Sequence, residues 1–567
     1  MSTHARPLAD WLSAASDAQL AELLAARGVR EDAAWHDFFD AAESLLEPAS
    51  LARILPRLTR EEAAALLRAA AGGDAGGERA ELTALALLRP DGSPYPPVAA
   101  AVAGRHVGAR TRASGHRPAT AEAAAHAAER AFTTVASLAD LLLHARENPL
   151  ALLASGGISA GEKRVLAESG VPAESIDALL AIAADADLIS SADRRLRLSG
   201  DAERWLHSDV GARWERLVTS FRVALPRGLR MDGGGWPDLS LWPDAHPWDP
   251  SWPERSAALM ERARLLGLIT DDGGEPDWAV PLREHGTVDA AALTRMLPAE
   301  VDRIFLQNDL SAIAPGPLAP ALDVRLRRIA ARESAAQASS YRFTAESVAH
   351  ALVAGETEES ITEFLGSLSL TGIPQPLSYL ISQTAQRHGL VRVSADAETG
   401  RARIDSVDPH LIDAMAVDQT LRPLALSRNG GSLTSRAGRD TVYWALTDAR
   451  YPATLVDAAG SVVSADRHPG APAPVAGVAD YTPLIARLRS QQGPDADAAW
   501  LDRELEAAVR AKAVLQVTVG MPDGSTRELL LEATGLGGGR LRGRDRAADV
   551  ERTLPVSSIR AAVVVES

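Results

Sequence analysis

Four times along this chain a helical pattern of apolar residues breaks in the same way. A short apolar segment follows, then a turn bearing Gly or Asp, then a second short segment. This punctuation appears at Leu85-Ala86-Leu87-Leu88 with Asp91-Gly92, at Asp187-Leu188-Ile189 before Arg195 to Leu198, at Gly267-Leu268-Ile269 with Asp271 to Gly274, and at Leu390 to Val393 before Arg401 to Ile404. Each reads as helices closed by a β-hairpin. Ala and Leu dominate and aromatics stand at 4%, so the segments between the breaks favour helix. The expected fold is mainly α with small β-hairpins, and its 567 residues call for several cores rather than one.

A helical group ending in a hairpin is the layout of a winged helix, whose last helix commonly enters a DNA groove. Multiple winged-helix-like units are therefore expected. The chain divides on this reading into a helical domain at 1–75, winged-helix-like units at 76–230, a Trp/Pro-rich linker with a third such unit at 231–300, a mixed α/β region at 301–465, and a β-rich tail at 476–567. The breaker-rich stretch Pro469 to Pro474 supplies the clearest boundary. Thr59 with Glu62 spells a capping box before Ala63 to Ala71.

Several chemistries are excluded or disfavoured. No cysteine occurs, which removes disulfides, zinc–thiolate clusters and thiol nucleophiles. The thirteen histidines never fall at the paired helical spacing of a zinc protease, so no metal is expected. No apolar run approaches the roughly 18 residues that would span a bilayer, and the expected compartment is the cytoplasm. A nucleotide motor needs a Gly-Lys-Ser or Gly-Lys-Thr phosphate loop, and no Gly-Lys pair exists; Gly156 and Gly161 have the spacing, but Glu162 stands in the lysine's place. Gly157-Ile158-Ser159-Ala160-Gly161 has the form of a hydrolase nucleophile elbow. Ser159 with Glu162 equally forms a capping box, which the surrounding helical pattern favours. No catalytic residue and no cofactor are assigned.

The formal charge of −16 argues against general polyanion binding, because nonspecific nucleic-acid affinity comes from basic side chains that release counterions. Any DNA contact must be local. The stretch after Pro374 places Gln375, Ser378, Ser382, Gln383, Gln386 and Arg387 opposite Leu377, Leu380, Ile381 and Ala385; amides read adenine, and arginine holds guanine or phosphate. A second candidate is Arg540, Arg542, Arg544 and Arg546, near a Gly-rich turn and partly offset by Asp545, Asp549 and Glu551. Trp236, Trp242, Trp248 and Trp252 lie in a Gly/Pro-rich segment and admit base stacking, but Trp-Pro pairs more often pin a loop to a core.

Ile304-Phe305-Leu306-Gln307-Asn308-Asp309-Leu310, Pro315 to Leu318, Ala330 to Ser334, Tyr341-Arg342-Phe343-Thr344 and Ile373-Pro374-Gln375-Pro376-Leu377 together resemble the N-terminal domain of XPB-type helicases. The surrounding chain resembles bacterial helicase-associated proteins that end in a WYL-type tail. In that tail Ala513 to Val519, Pro522-Asp523-Gly524, Thr526 to Glu532, Gly537 to Arg542 and Arg552 to Ile559 follow the strand order of a small Sm-like barrel. The Trp-Tyr-Leu triplet is replaced by Arg540-Leu541-Arg542. The resemblance implies DNA as a partner, a helicase or nuclease as a second one, a mixed α/β XPB-like middle region and a small β-barrel-like C-terminal domain. The function expected is a non-catalytic, helicase-associated DNA-binding accessory in repair or transcription; the alternative is an acidic protein-interaction scaffold.

Overall fold

The computed structural model describes residues 5–565 except 110, 111, 114, 155, 336–338, 397–399, 458, 459, 461, 464–478, 493, 522 and 523. The Pro469 to Pro474 stretch and Pro522-Asp523 lie outside the described residues. About half of the chain is helical, and the strands fall into four small sheets.

The largest core runs from Ala127 to Leu293 and takes in Val324. Its order is helix Ala121–Glu147, strand Leu150–Ala151, helices Ala160–Glu168 and Ile176–Asp185, then the hairpin Ile189–Ala192 and Arg195–Leu198, with the short strand paired to the outside of Arg195–Leu198. The expected second hairpin is thus present. Its two-residue turn, Asp193-Arg194, has both residues at positive φ, 52° and 57°, the backbone a tight hairpin turn demands. For L-residues that conformation costs roughly 1–2 kcal/mol each, and the sequence keeps them there.

Two of the four expected hairpins are not built. Leu85 to Leu88 are buried, but only one bridge, Leu88 to Pro94, forms across the turn; Pro90 and Pro94 bring no N–H with which to extend a ladder. Leu268 and Ile269 are likewise buried in the helical core rather than paired. Gly267, at φ +69°, ends helix Trp252–Leu265 so close to helix Ala121–Glu147 that a Cβ would come within 2.6 Å of the Ala127 carbonyl oxygen.

Ser159 caps helix Ala160–Glu168, its Oγ accepting from the Glu162 N–H at 3.2 Å. The reciprocal half of the expected box is absent, because the Glu162 carboxylate accepts from the Ala151 N–H at 3.3 Å and ties the helix to the first strand. We expect Ser159→Ala to cost about 0.5–2 kcal/mol by denaturant titration, with no labelling of the parent by a fluorophosphonate probe. Thr59 and Glu62 form a complete capping box, and Glu62, nearly fully buried, also accepts from Arg227.

A second core joins Ala5 through Val102 to Trp248 and to Tyr481, Leu484, Ile485, Leu488 and Trp500. It runs across the expected boundary at 75 and draws on helices Thr482–Ser490 and Pro494–Ala511 from the far end of the chain. Tyr481 Oη donates to the Val29 carbonyl at 2.7 Å, Trp500 Nε1 donates to Asp37 at 3.1 Å, and Arg503 pairs with Asp40 at 2.8 Å. The Trp/Pro segment fastens the two cores together. Trp236, Trp242, Trp248 and Trp252 are all buried, and Trp248 Nε1 reaches His106 O while Trp252 Nε1 reaches Trp242 O. Indoles so placed have no free face for a base.

The third core holds a four-stranded sheet in the spatial order Phe305–Leu306, Ser311–Ala314, Ser339–Arg342, Ala331–Ala335. Helices Ala345–Val353, Glu358–Leu368 and Gln375–Arg387 pack with it. Helix Pro320–Ile329 is shared: Val324 enters the first core, while Leu326 and Ile329 enter the third. Beside this shared helix Asp140, 7% exposed, accepts from Arg327 at 2.7 Å and from Arg332. Tyr341 Oη donates to Asp323 at 2.6 Å, and burial with that carboxylate nearby raises the phenol's pKa. The fourth hairpin forms as Val391–Ala395 and Ala402–Ser406 and is absorbed into a five-stranded sheet, flanked on one side by the parallel strand Ala453–Leu455.

The last sheet has the order Val550–Pro555, Arg540–Asp545, Thr526–Gly537, Val514–Gly520, Ile559–Val564. Its two edges do not pair among the described residues, so the expected small barrel is an open sheet. Closure is unnecessary for burial here, because helix Pro494–Ala511 covers the apolar face, with Leu501, Leu505 and Ala508 against Leu515, Val517 and Leu531.

Candidate nucleic-acid interface

Pro374 precedes helix Gln375–Arg387, Pro376 sits in its first turn, and Gly389 at φ +79° follows its end, the start and stop punctuation expected of proline and glycine. Leu377 and Ile381 are buried, with Leu380 and Ala385 packed around them. The opposite face is turned to solvent. Gln375, Ser378, Gln386 and Arg387 are exposed, and Ser382 and Gln383 are half-buried. Gln386 Nε2 lies 3.5 Å from Ser382 Oγ, one turn away, and Arg387 has no ion-pair partner among the described residues.

At the centre of this face stands a residue that the sequence reading passed over. Tyr379 is 66% exposed and accepts a hydrogen bond from Gln383 Nε2 at 3.3 Å. The signal was available in the spacing, since Tyr379 is four residues from both Gln375 and Gln383. At the helix end His388 is held to strand Ala453–Leu455, its Nε2 3.1 Å from Thr454 Oγ1, and burial lowers its pKa.

Along strand Arg540–Asp545 exposure alternates without a break, with Arg540, Arg542 and Arg544 outward and Leu541, Gly543 and Asp545 inward. Strand geometry alone puts the three arginines on one face. Gly543 is required where it stands, because a Cβ would come within 2.8 Å of the Glu532 carbonyl oxygen. The three are unequal in charge environment. Arg544 is held by Asp549 at 2.6 Å and faces Glu551 and Glu532 across the strands. Arg540 and Arg542 face Pro555 and Thr553 on one side and Gly537 and Gly535 on the other, and neither has an ion-pair partner among the described residues. Arg546 is turned to Glu532 at 3.5 Å, and Asp545 is occupied by Arg552. The helix candidates and the strand arginines thus belong to different cores.

Among the described residues no cluster of His, Asp or Glu has the makings of a metal site, and no helix is long and apolar enough to cross a membrane. The Gly156 to Gly161 stretch that resembled a phosphate loop is a turn into the Ser159-capped helix.

Residues 304–430 match the family described as helicase conserved C-terminal domain. The match opens at Ile304, where the helicase resemblance begins in the sequence, and encloses the whole Gln375–Arg387 helix and the hairpin after it. This part of the chain is helicase-associated. It is a minority of the length, and no curated protein matches the chain.

Proposed function

We propose that this chain is a non-catalytic, helicase-associated DNA-binding protein, accessory or regulatory to a helicase or nuclease in repair or transcription. The observation that carries the proposal is the outward face of helix Gln375–Arg387 within the helicase-matched segment: five exposed side chains capable of hydrogen bonding or stacking, with no element packed over them among the described residues. Two layouts support it. Helix, strand, helix, helix, hairpin over 121–198 and three helices with a hairpin over 345–406 follow the winged-helix plan, in which the last helix before the hairpin meets the groove. In the first unit that helix, Ile176–Asp185, ends on Asp185 paired with Arg262 at 2.5 Å and buries its apolar residues in the core. The second unit is the better DNA reader. The XPB-type character of the middle region and the WYL-type, Sm-like character of the last sheet, whose strand order the barrel would share, belong to the same proposal.

Amide and phenol groups and Arg387 on that helix would read base edges, while Arg540 and Arg542 would meet phosphates. Titrations of duplex DNA over a salt series test this. Replacing Arg540 and Arg542 by alanine should reduce the slope of log affinity against log salt by up to about two. Adding Arg544→Ala should change little, because Asp549 already neutralises it. Replacing Gln383 and Arg387 should instead alter the choice among DNA sequences, by roughly 1–3 kcal/mol per lost contact. Absence of binding at about 50 mM salt refutes direct DNA binding.

The scaffold reading has one observation in its favour. Phe305 and Leu370, 40% and 55% exposed, stand side by side where Ile304 and Ser369 bridge, an apolar patch in the same segment. On that reading the same titrations detect no DNA, and a protein partner occupies the helicase-matched part.

A further inference from the structure

We propose that the hairpin Ile189–Ala192 and Arg195–Leu198 is a second, sequence-blind DNA contact in which Arg194, Arg195 and Arg197 hold the phosphodiester backbone. The proposal deepens the DNA-binding reading and rests on it. On an acidic chain many arginines are occupied: Arg130, Arg146, Arg204, Arg262, Arg283, Arg325 and Arg327 all pair with carboxylates. The hairpin departs from that pattern.

Arg194 and Arg195 are exposed, and neither they nor Arg197 has an ion-pair partner among the described residues. Arg197 is half-buried, its Nε lacks an acceptor, and its cross-strand partner Ser190 carries a buried hydroxyl that is equally unsatisfied. Three carboxylates on adjoining elements are committed elsewhere. Glu162 accepts from the Ala151 N–H, Asp201 is taken by Arg204, and Glu203 lies 3.6 Å from Arg146. Asp193, on the turn itself, and Asp187, just before the first strand of the hairpin, are exposed and have no ion-pair partner among the described residues.

Position adds a second argument. Arg194 is the second of two left-handed residues in a tight turn, a place that glycine or asparagine would fill at less cost, and its carbonyl, accepting from the Leu152 N–H at 2.9 Å, braces the tip against the first strand. A braced tip carrying adjacent guanidinium groups suits a regularly charged polyanion better than a single small anion, since each arginine can meet a separate phosphate.

The test compares the full chain with Arg194→Ala/Arg195→Ala, Arg194→Lys/Arg195→Lys and Arg194→Gly in titrations of mixed-sequence duplex across a salt series, with pyrophosphate titrated in parallel. The alanine pair should bind with a salt slope smaller by up to about two and an unchanged order of preference among duplex sequences. The lysine pair should restore the slope. Arg194→Gly should raise the melting temperature while lowering the slope, a combination that a purely structural arginine would not give. If the parent binds duplex and the alanine pair keeps its slope, the hairpin contact is refuted while the DNA-binding reading survives. Loss of pyrophosphate binding without any change on duplex makes this a small-anion site and refutes the proposal. If the parent binds no duplex at all, both readings fall together.

Discussion

Asp140→Ala should destabilise the junction between the first and third cores by about 3–5 kcal/mol, the loss expected when one partner of a buried ion pair is removed and the other is left charged. Arg332 would lose its carboxylate partner and Arg327 would be left with Asp323 alone. Arg327 and Arg332 are each less than a fifth exposed and both point at Asp140. Burial works against the Arg327 charge, but Asp140 and Asp323 outweigh it and raise its pKa. Asp323, whose other oxygen accepts from Tyr341, keeps an ion pair with Arg327 at 3.7 Å, but among the described residues no ion pair joins it to Arg332. The measurement is the urea midpoint, with hydrogen exchange along helix Pro320–Ile329 to localise the loss. Combining Asp140→Ala with Arg327→Met and Arg332→Met should recover much of the stability, because the uncompensated charges go too. A single variant with an unchanged midpoint would show that the charges rehydrate without cost.

The second large effect is pH-dependent. Glu504 lies on helix Pro494–Ala511 where it meets the amino-terminal core, with Arg6 at 3.6 Å. Burial lifts its pKa to about 7, Arg6 pulling the other way only in part. A carboxyl whose folded pKa exceeds its unfolded value stabilises the fold most below the unfolded value, near 4.5, and that advantage is lost as pH rises through 7. Integrated over this window the loss is on the order of 3 kcal/mol. Glu504→Gln cannot ionise, so it should equal the parent near pH 4.5 and exceed it by up to that amount at pH 8. Amide exchange in helix Pro494–Ala511, measured at both pH values, checks this; a variant weaker than the parent at pH 8 would mean that the Arg6 pair outweighs the burial.

Local chemistry was legible in the sequence, and distant partnership was not. The Ser159 and Thr59 caps, the apolar stripe through Leu377 and Ile381 and the alternation from Arg540 to Asp545 follow from spacings of a few residues, and the structure has them. The neutralising of Arg544 depends on a turn that brings Asp549 back to it, and charge composition alone does not say which arginine is affected. The two missing hairpins failed because buried leucines satisfy a helical core as well as a strand. The fourth hairpin is completed to a five-stranded sheet by Ser427–Asn429 and Ser432–Ser435 on one side and by Ala453–Leu455, some sixty residues downstream of Val391, on the other. Tyr379 escaped notice because an aromatic at helical spacing usually faces a core, and only the packing of its neighbours reveals that this one does not.

The amino-terminal core has a timetable. Leu8, Phe38 and Leu66 are made early, yet the surface they belong to is completed by Tyr481, Leu484, Leu488 and Trp500. During synthesis from the amino terminus, at about 5–20 residues per second, that surface would stand uncovered for tens of seconds until the last stretch emerges. Closing so long a loop adds little to the equilibrium cost, which grows only as the logarithm of length, so the burden falls on the order of events. Ribosome-bound chains stalled before residue 480 should therefore be cut by protease within residues 5–102, and chains stalled after helix Pro494–Ala511 has emerged should resist.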